Sequence, residues 1–304
     1  MNKIIYYYQT FIDLGEEFID NCKATHIIIS SLHFGYEPDT IKSDKPVPYI
    51  HLNDNHPNDI KFDLLWKQMQ LLHDRGVNIM VMLGGAGGAY TNMYKDYDVF
   101  YALLIDFLKS KRFISGIDLD IEENVTMNDV KRTINDLDQQ FSKNFVITMA
   151  PLGNSLCNNT PGMGGFIYMD LYKSYEGKRI NWFNGQFYGN FDFVTYDKCI
   201  LNGYPEDKIV IGMLECDQCL DEYIKELKKI QHKYPNFSGV DVWELYLTTK
   251  IGDVGDWSNK IFDALNSHKL LIKQKTHTKR AEIDCSNYKY INDIKEDTYK
   301  CIVM

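Results

Sequence analysis

The chain contains 304 residues, which is enough for one large domain or two small ones. Its hydrophobic fraction of 44% and charged fraction of 25% are those of an ordinary globular protein. A net charge of -9 argues against a nucleic-acid backbone as the main partner and is compatible with a neutral ligand. The 21 Tyr, 16 Phe and 4 Trp residues suit stacking on sugar rings, but they suit a packed core equally well.

The N-terminal residues lead directly into an apolar strand pattern. Met1-Asn2-Lys3 precedes this pattern without the apolar segment and small-residue cleavage site of a secretory signal. No apolar run in the sequence reaches the length of a membrane span. We therefore expect no membrane partner, and either a cytoplasmic protein with mostly reduced thiols or one secreted or virion-associated by an unrecognised route.

Short runs dense in Ile, Val, Tyr and Phe recur along the chain, as is typical of parallel strands covered on both faces. Amphipathic segments with helical spacing lie between them, including residues 64–72, 100–108, 130–141, 223–230 and 257–265. The predicted strands comprise residues 3–8, 26–32, 78–83, 114–121, 145–150, 182–188, 208–213 and 239–243.

This alternation predicts an α/β protein with a single (β/α)8 TIM barrel over residues 1–267. An open doubly wound sheet is the alternative, but it usually carries a Gly-rich phosphate turn after its first strand, and Tyr8-Gln9-Thr10 supplies none. Residues 268–304 are mixed and polar, so we expect a C-terminal extension there and not a carbohydrate-binding module. Functional side chains of a barrel gather where the strands end and the following loops begin.

The third predicted strand ends in a glycine-rich turn, Gly84-Gly85-Ala86-Gly87-Gly88. The missing side chains would let a ligand or another backbone segment come close to Gly84 and Gly85. A merely flexible turn is an equally good interpretation of this segment taken alone.

The fourth predicted strand places Asp118, Asp120 and Glu122 at alternate positions of an apolar run. The two-residue period of a strand directs all three carboxylates to one side. Ionised carboxylates are rarely buried together, because desolvation and mutual repulsion both oppose it. A solvated edge strand and a cation site are the alternatives, but the opposite face is fully apolar and no calcium-type loop surrounds the segment.

Later strand ends add further polar and aromatic candidates. The sixth predicted strand ends in Gln186-Phe187-Tyr188, which sets an amide and a phenol on one face. The eighth ends at Trp243, whose ring suits the floor of a sugar site but equally a core position. Residues 152–166, which follow the fifth strand, form either a substrate-gripping lid or a plain surface loop.

The seven cysteines are scattered along the sequence. Cys216-x-x-Cys219 has no second such motif and no nearby His pair, so it supports a zinc or redox site only weakly. Cys285 and Cys301 are candidates for pairing under oxidising conditions, with free thiols as the default expectation. We expect neither a metal nor another cofactor.

With these residues in place, the chain resembles the family 18 glycoside hydrolases, and most closely the plant and fungal class III chitinases. The family's acidic motif, D/S-G-x-D-x-D-x-E, reads here as Ser115 through Glu122. The resemblance covers about residues 3–267 and keeps the order of the strands. The further matching segments are residues 82–91, 149–151, 186–188 and 239–243.

The resemblance implies hydrolysis of β-1,4-linked N-acetylglucosamine polymers or oligomers by a retaining, metal-free mechanism that passes through an oxazolinium intermediate. Glu122 would be the general acid and base, with its pKa raised by the like charge of Asp120. Asp120 would hold the acetamido N–H and stabilise the intermediate, and Asp118 would share a proton with Asp120.

The same resemblance assigns roles to the remaining candidates. Tyr188 would hydrogen-bond the acetamido carbonyl, Gln186 would position the sugar, and Trp243 would form the floor of the cleaved subsite. Gly84, Gly85 and Met149 complete the expected substrate-binding set.

The sequence departs from the family at several positions. Ser115 replaces a frequent Asp, Gly189 follows Tyr188 where Asn or Asp is frequent, and Leu152 stands where Glu or Gln is often found. Ser30-Ser31-Leu32-His33 ends the second strand where many relatives place a Phe. Two other functions therefore stay open: an endo-β-N-acetylglucosaminidase that cuts the core of N-glycans, and a catalytically silent chitin-binding lectin or inhibitor on the same barrel.

Overall fold

The computed structural model describes residues 2–37, 41–42, 44–214, 220–250 and 252–266. The predictions for the extension at residues 268–304, for Cys216-x-x-Cys219 and for Cys285 with Cys301 lie outside the described residues.

Eight parallel strands close into a barrel, which confirms the predicted (β/α)8 TIM fold. The ring closes because the first strand pairs in parallel with both the second and the last. The described strands are β1 Lys3–Tyr8, β2 His26–Tyr36, β3 Pro48–Leu52, β4 Asn78–Gly84, β5 Ile114–Asp120, β6 Val146–Met149, β7 Trp182–Gln186, β8 Ile209–Leu214 and β9 Gly239–Trp243. Each predicted strand is present, with ends that differ by a few residues.

Helices follow the strands and cover the outside of the barrel. Two of them begin at side-chain caps: Thr126 accepts a hydrogen bond from the Asp129 N–H, and Asp192 accepts one from the Thr195 N–H. Within the described ranges, no helix combines the length and the apolarity needed to cross a bilayer. The helices are α1 Gly15–Asn21, α2 Asp63–Asp74, α3 Ala89–Lys95, α4 Tyr97–Ser110, α5 Met127–Gln140, α6 Gly153–Asn158, α7 Tyr168–Lys173, α8 Phe193–Leu201, α9 Leu220–Lys233, α10 Leu245–Thr248 and a last helical segment over residues 256–266.

The strand β3 was not predicted from the sequence. It runs antiparallel to the second half of β2, with Leu32 opposite Leu52 and His33 opposite His51. The polar, proline-containing stretch around it resembles a long loop, and its strand character depends on the partner that β2 supplies. The strand β3 pairs with the part of β2 from Leu32 onward, where the pairing of β2 with β4 ends.

The hydrophobic core consists of two layers. The larger layer lies between the strands and the surrounding helices, and it contains outward-facing strand residues such as Ile117, Leu119 and Ile147. The smaller layer fills the inside of the barrel and comprises Ile5, Tyr7, Ile28, Met80, Met82, Trp182 and Val210. Because strand side chains alternate, the residues of the inner layer define the face from which functional groups project toward the barrel mouth.

Candidate active site

The acidic segment rises along β5 toward the barrel mouth. Asp118 is completely buried and Asp120 is 5% exposed. Glu122 follows the end of the strand and is half-buried. The three carboxylates therefore pass from the closed interior to the open end of the barrel.

Asp118 lies at the bottom of this series within a set of hydrogen-bond donors. Its carboxylate accepts bonds from the Tyr7 hydroxyl at 2.8 Å, the Thr148 hydroxyl at 2.5 Å and the Asn184 amide at 3.1 Å. Burial raises the pKa of Asp118 to about 6, although these three hydrogen bonds favour its charged form. Three donors from different strands thus fix a carboxylate that titrates near neutral pH.

Asp120 has fewer donors and a more strongly shifted pKa. The Gln186 amide donates to Asp120 Oδ1 at 3.2 Å and to the Ala150 carbonyl at 2.8 Å. Burial raises the pKa of Asp120 well above its usual range, and the charges of Glu122 and Asp118 raise it further. A proton is therefore held on Asp120 more readily than on Asp118, as expected for coupled carboxylates.

The pKa of Glu122 is raised, which favours its protonated form. Burial raises its pKa, and a hydrogen bond from Gln186 partly opposes the change. The like charge of Asp120 was the expected cause of this shift. The structure corrects that explanation, because desolvation is the main cause at Glu122.

The glycine-rich turn after β4 packs directly on the acidic segment. The Gly85 N–H donates to the Asp120 carbonyl at 2.9 Å. A Cβ atom at Gly84, where φ is +101°, would lie 2.1 Å from the same carbonyl oxygen. The next acid, Glu123, holds the following helix by accepting bonds from the N–H groups of Tyr90 at 2.8 Å and Thr91 at 2.7 Å. The turn and the end of β5 thereby form one backbone unit, and glycine is required at its closest approach.

A cavity of about 360 Å³ opens at the mouth beside these carboxylates. Asp120 and Glu122 line one part of it, and Gln186, Tyr188 and Trp243 line another. The predicted site residues that come together here also include Gly85, and the remaining lining residues are Gln9, Ser31, Met82 and Ala86. Gly84 contacts the site through the Asp120 backbone, and Asp118 lies below it.

The two aromatic residues of the cavity, Trp243 and Tyr188, are influenced by groups inside the barrel. The Trp243 ring packs against Tyr7, with 5.6 Å between the ring centroids. Burial raises the pKa of Tyr188 well above its ordinary value, with further contributions from the charges of Asp241, Asp120, Glu122 and Asp118. Tyr188 therefore stays protonated and is able to donate a hydrogen bond throughout the physiological pH range.

A second cavity, of about 480 Å³, adjoins the first and shares Gln9, Ser31 and Ala86 with it. The β2–β3 hairpin supplies much of its lining, including His33, His51 and Asn53. The rings of His33 and His51 are stacked with 5.5 Å between centroids, and Tyr49 stacks on His51 at 5.1 Å. The cleft is therefore longer than the cavity at the carboxylates.

Met149 is a predicted site residue that does not line the cavity, and unlike Asp118 it lies outside the barrel interior. It is completely buried in the layer between the strands and the helices. Its neighbour Thr148 faces the interior instead, because adjacent strand residues point to opposite sides. The Met149 side chain therefore points away from the cavity.

Several residues of the site were missed by sequence reasoning. Tyr7, Thr148 and Asn184 surround Asp118, although each lies on a different strand. Strand alternation would have shown that these polar groups point inward, but not that they meet one carboxylate. Among the described residues, no group of three His, Cys, Asp or Glu side chains is arranged to hold a metal ion.

Asp241, on β9, is a further missed carboxyl in the barrel interior. It is buried, at 2% exposure, and its Oδ2 atom accepts no hydrogen bond from the described residues. Burial and the charge of Asp118 raise its pKa well above the ordinary range. Both effects favour the protonated form of Asp241.

No protein-family model matches the sequence, and no curated protein matches it either. Its structure, however, is similar to that of a fungal endo-β-N-acetylglucosaminidase of glycosyl hydrolase family 18. The two sequences are 25% identical, the match covers 88% of this chain and 99% of the other, and the TM-score is 0.78.

A chitinase from Aspergillus fumigatus is also similar, at 27% identity and a TM-score of 0.72, over 81% of this chain and 92% of the other. A xylanase and α-amylase inhibitor protein shares the fold alone, with 17% identity and a TM-score of 0.57 over 86% of this chain and 98% of the other. The resemblance to family 18 glycoside hydrolases expected from the sequence is confirmed by these structural neighbours.

Proposed function

We propose that this enzyme, a chitinase-like glycoside hydrolase of the family 18 type, cleaves β-1,4-linked N-acetylglucosamine chains in chitin or chitooligosaccharides. One observation carries the proposal: Asp120, Glu122, Gln186, Tyr188 and Trp243 line a single cavity at the barrel mouth. These are the groups needed to protonate a glycosidic oxygen and to hold an acetamido group.

Glu122 is the proposed general acid. It lies at the open end of the carboxylate series, where a glycosidic oxygen can reach it, and burial raises its pKa. A raised pKa favours the protonated carboxyl, which can deliver its proton to the leaving oxygen, and the resulting carboxylate can then activate water.

The proposed nucleophile is the acetamido oxygen of the substrate, which attacks the anomeric carbon and forms an oxazolinium with retention of configuration. Asp120 orients the acetamido N–H and stabilises the positive charge that develops. Asp118 supports this role because its three donors stabilise a negative charge directly below Asp120. Asp118 and Asp120 gain and lose protons in one coupled equilibrium.

Tyr188 and Gln186 orient the reacting sugar in this proposal. Tyr188 remains protonated and donates to the acetamido carbonyl. Gln186 is held in place by its bond to the Ala150 carbonyl, so its amide is oriented before substrate binds. The Trp243 ring, supported by Tyr7, forms an apolar floor under the sugar.

The second cavity supports an oligomeric substrate. It continues from the first past Gln9 and Ser31, and its combination of stacked rings and polar groups suits the faces and hydroxyls of further sugar units. A single sugar would leave this part of the cleft unused.

An endo-β-N-acetylglucosaminidase acting on N-glycans is the second candidate, and the fungal neighbour with the TM-score of 0.78 is the observation that favours it. A silent lectin or inhibitor is less well supported. That function needs no acid, whereas Glu122 lines the cavity here with a raised pKa.

The test is incubation of the protein with chitotetraose and, separately, with a high-mannose glycoprotein, with the products read by mass spectrometry. Shorter N-acetylglucosamine oligomers from chitotetraose support the proposal. Release of a glycan that ends in a single N-acetylglucosamine supports the second candidate. No cleavage of either substrate, with binding retained, would contradict both.

A further inference from the structure

Two buried thiols that take no part in the site face each other outside the barrel. Cys157 is on α6 and Cys199 is on α8, and their Sγ atoms are 2.6 Å apart. Their exposures are 8% and 0%. Each belongs to the hydrophobic layer that packs against the strands.

The packing of α6 against α8 holds the two sulfur atoms in this position. Both thiols approach the Thr195 carbonyl, Cys157 at 3.2 Å and Cys199 at 3.5 Å. The Asn202 amide donates to the Leu156 carbonyl at 2.7 Å. The side chains of Asn159 and Asn202 are bonded to each other, so backbone and side-chain contacts flank the thiol pair. The two sulfur atoms therefore already lie close together in the folded protein.

We propose that Cys157 and Cys199 form a disulfide bond when the protein meets a small-molecule disulfide oxidant. The Cys157 thiolate attacks one sulfur of the oxidant and displaces one small thiolate. The Cys199 thiolate then attacks the Cys157 sulfur and displaces the second. Two protein thiols are oxidised, one small disulfide is reduced to two thiols, and the two protons lost by the cysteines go to the products.

Cys157 is the more reactive of the two thiols, as the first of these steps requires. The hydrogen bond between them lowers the pKa of Cys157 and raises that of Cys199. Cys157 is also the more exposed of the two. The first attack therefore comes from Cys157, because thiolate is the reactive form.

The crosslink would support one wall of the cleft. The helix α6 begins just after β6, where the Gln186 N–H donates to the Pro151 carbonyl at 2.8 Å. At its first residue, Gly153, an added Cβ would lie 2.7 Å from the Phe187 ring. Phe187 is flanked in sequence by Gln186 and Tyr188, both of which line the cavity. Bonding α6 to α8 therefore restrains the helix that packs behind these two side chains.

The experiment uses the full chain, treated with oxidised glutathione, blocked with iodoacetamide and digested without reductant. We expect a crosslinked pair of peptides that contain Cys157 and Cys199, and its loss on reduction. Alkylation of both thiols in the oxidised protein would overturn the proposal. So would a crosslink from either one to any other cysteine.

Thermal unfolding gives a second readout. Oxidation should raise the Tm of the wild-type chain by about 5–10 °C, because the crosslink restricts the unfolded chain. The Cys157→Ser and Cys199→Ser variants should lose this gain, whereas the control Cys22→Ser should keep it. An equal gain in all four proteins would show that the crosslink stabilising the chain lies elsewhere.

Discussion

The Tyr7 hydroxyl donates a 2.8 Å hydrogen bond to Asp118 across the inside of the barrel, although 111 positions separate the two residues. The same Tyr7 ring packs against Trp243. One side chain of β1 thus connects the lowest carboxylate of the acidic series with the proposed floor of the sugar site. Because the bond favours the charged form of Asp118, it also links the free energy of unfolding to the ionisation of that carboxyl.

Replacing Tyr7 with Phe should shift the pH dependence of activity. The Tyr7 bond lowers the pKa of Asp118, so its loss should raise that pKa above about 6 and move the acid limb of the rate profile upward. Unfolding should become easier by about 1–3 kcal/mol. Urea unfolding and kcat measured between acid and neutral pH check both effects.

Tyr196→Phe is the matched control for this substitution. It also removes a hydroxyl from a buried ring, one that donates to the Glu206 carbonyl at 3.0 Å away from the site. It should cost similar stability without changing the rate profile. An identical shift of the profile in both variants would contradict the role assigned to Tyr7.

Replacing Glu122 with Gln should lower kcat on chitotetraose by about 10²–10⁴-fold, since the amide cannot donate a proton as an acid. Binding of the oligomer should be largely retained, because the side chain keeps its shape. Steady-state kinetics and calorimetric titration measure the two quantities. Glu176→Gln, at a half-buried carboxylate outside the cavity, should leave both unchanged, and turnover at the wild-type rate in Glu122→Gln would remove Glu122 as the acid.

Replacing Asp241 with Asn should stabilise the protein more at high pH than at low pH. The folded-state pKa of Asp241 is raised, so its contribution to stability is complete below the unfolded pKa of about 4 and is lost as pH rises through the folded value. Asn removes this titration. The free energies of unfolding of variant and wild type are measured with denaturant at about pH 5 and about pH 8. The stability of the variant relative to the wild type should increase as pH rises. A difference that does not vary with pH would contradict the assignment.

Replacing Gly84 with Ala should destabilise the protein and disturb the cavity, because the new Cβ would overlap the Asp120 carbonyl at 2.1 Å. Gly76→Ala is the control, since Gly76 also has a positive φ, +89°, but no atom within 4 Å of the added Cβ. The control should lose about 1–2 kcal/mol of stability from backbone strain alone. Gly84→Ala should lose clearly more stability than this. Equal losses in the two variants would show that the turn accommodates the added Cβ without further loss of stability.

The barrel was predictable from sequence because its strands are short runs dense in apolar residues, which is a local property of each segment. The hairpin strand β3 was not, because it is only 5 residues long, begins with Pro48 and lies in a polar, proline-containing stretch. The strand order and the carboxylate series therefore followed from the sequence, whereas the second cavity did not.

The environment of the carboxylates was only partly predictable for a similar reason. In the structure Asp118 is paired in register with Thr148, so side chains at that level of β5 and β6 face the same way. Once this register is known, Met149 must point outward. The sequence shows alternation within each strand but not the alignment between strands, and the donors to Asp118 depend on that alignment.

Closure of the barrel also affects how the protein meets other copies of itself. Every strand of the ring has neighbours on both sides, whereas in the described part of the chain β3 pairs with β2 alone. An unpaired strand edge invites intermolecular sheet formation. Here the edge is only 5 residues long and begins with Pro48, whose missing N–H removes one donor. The hairpin that enlarges the cleft therefore offers little template for aggregation.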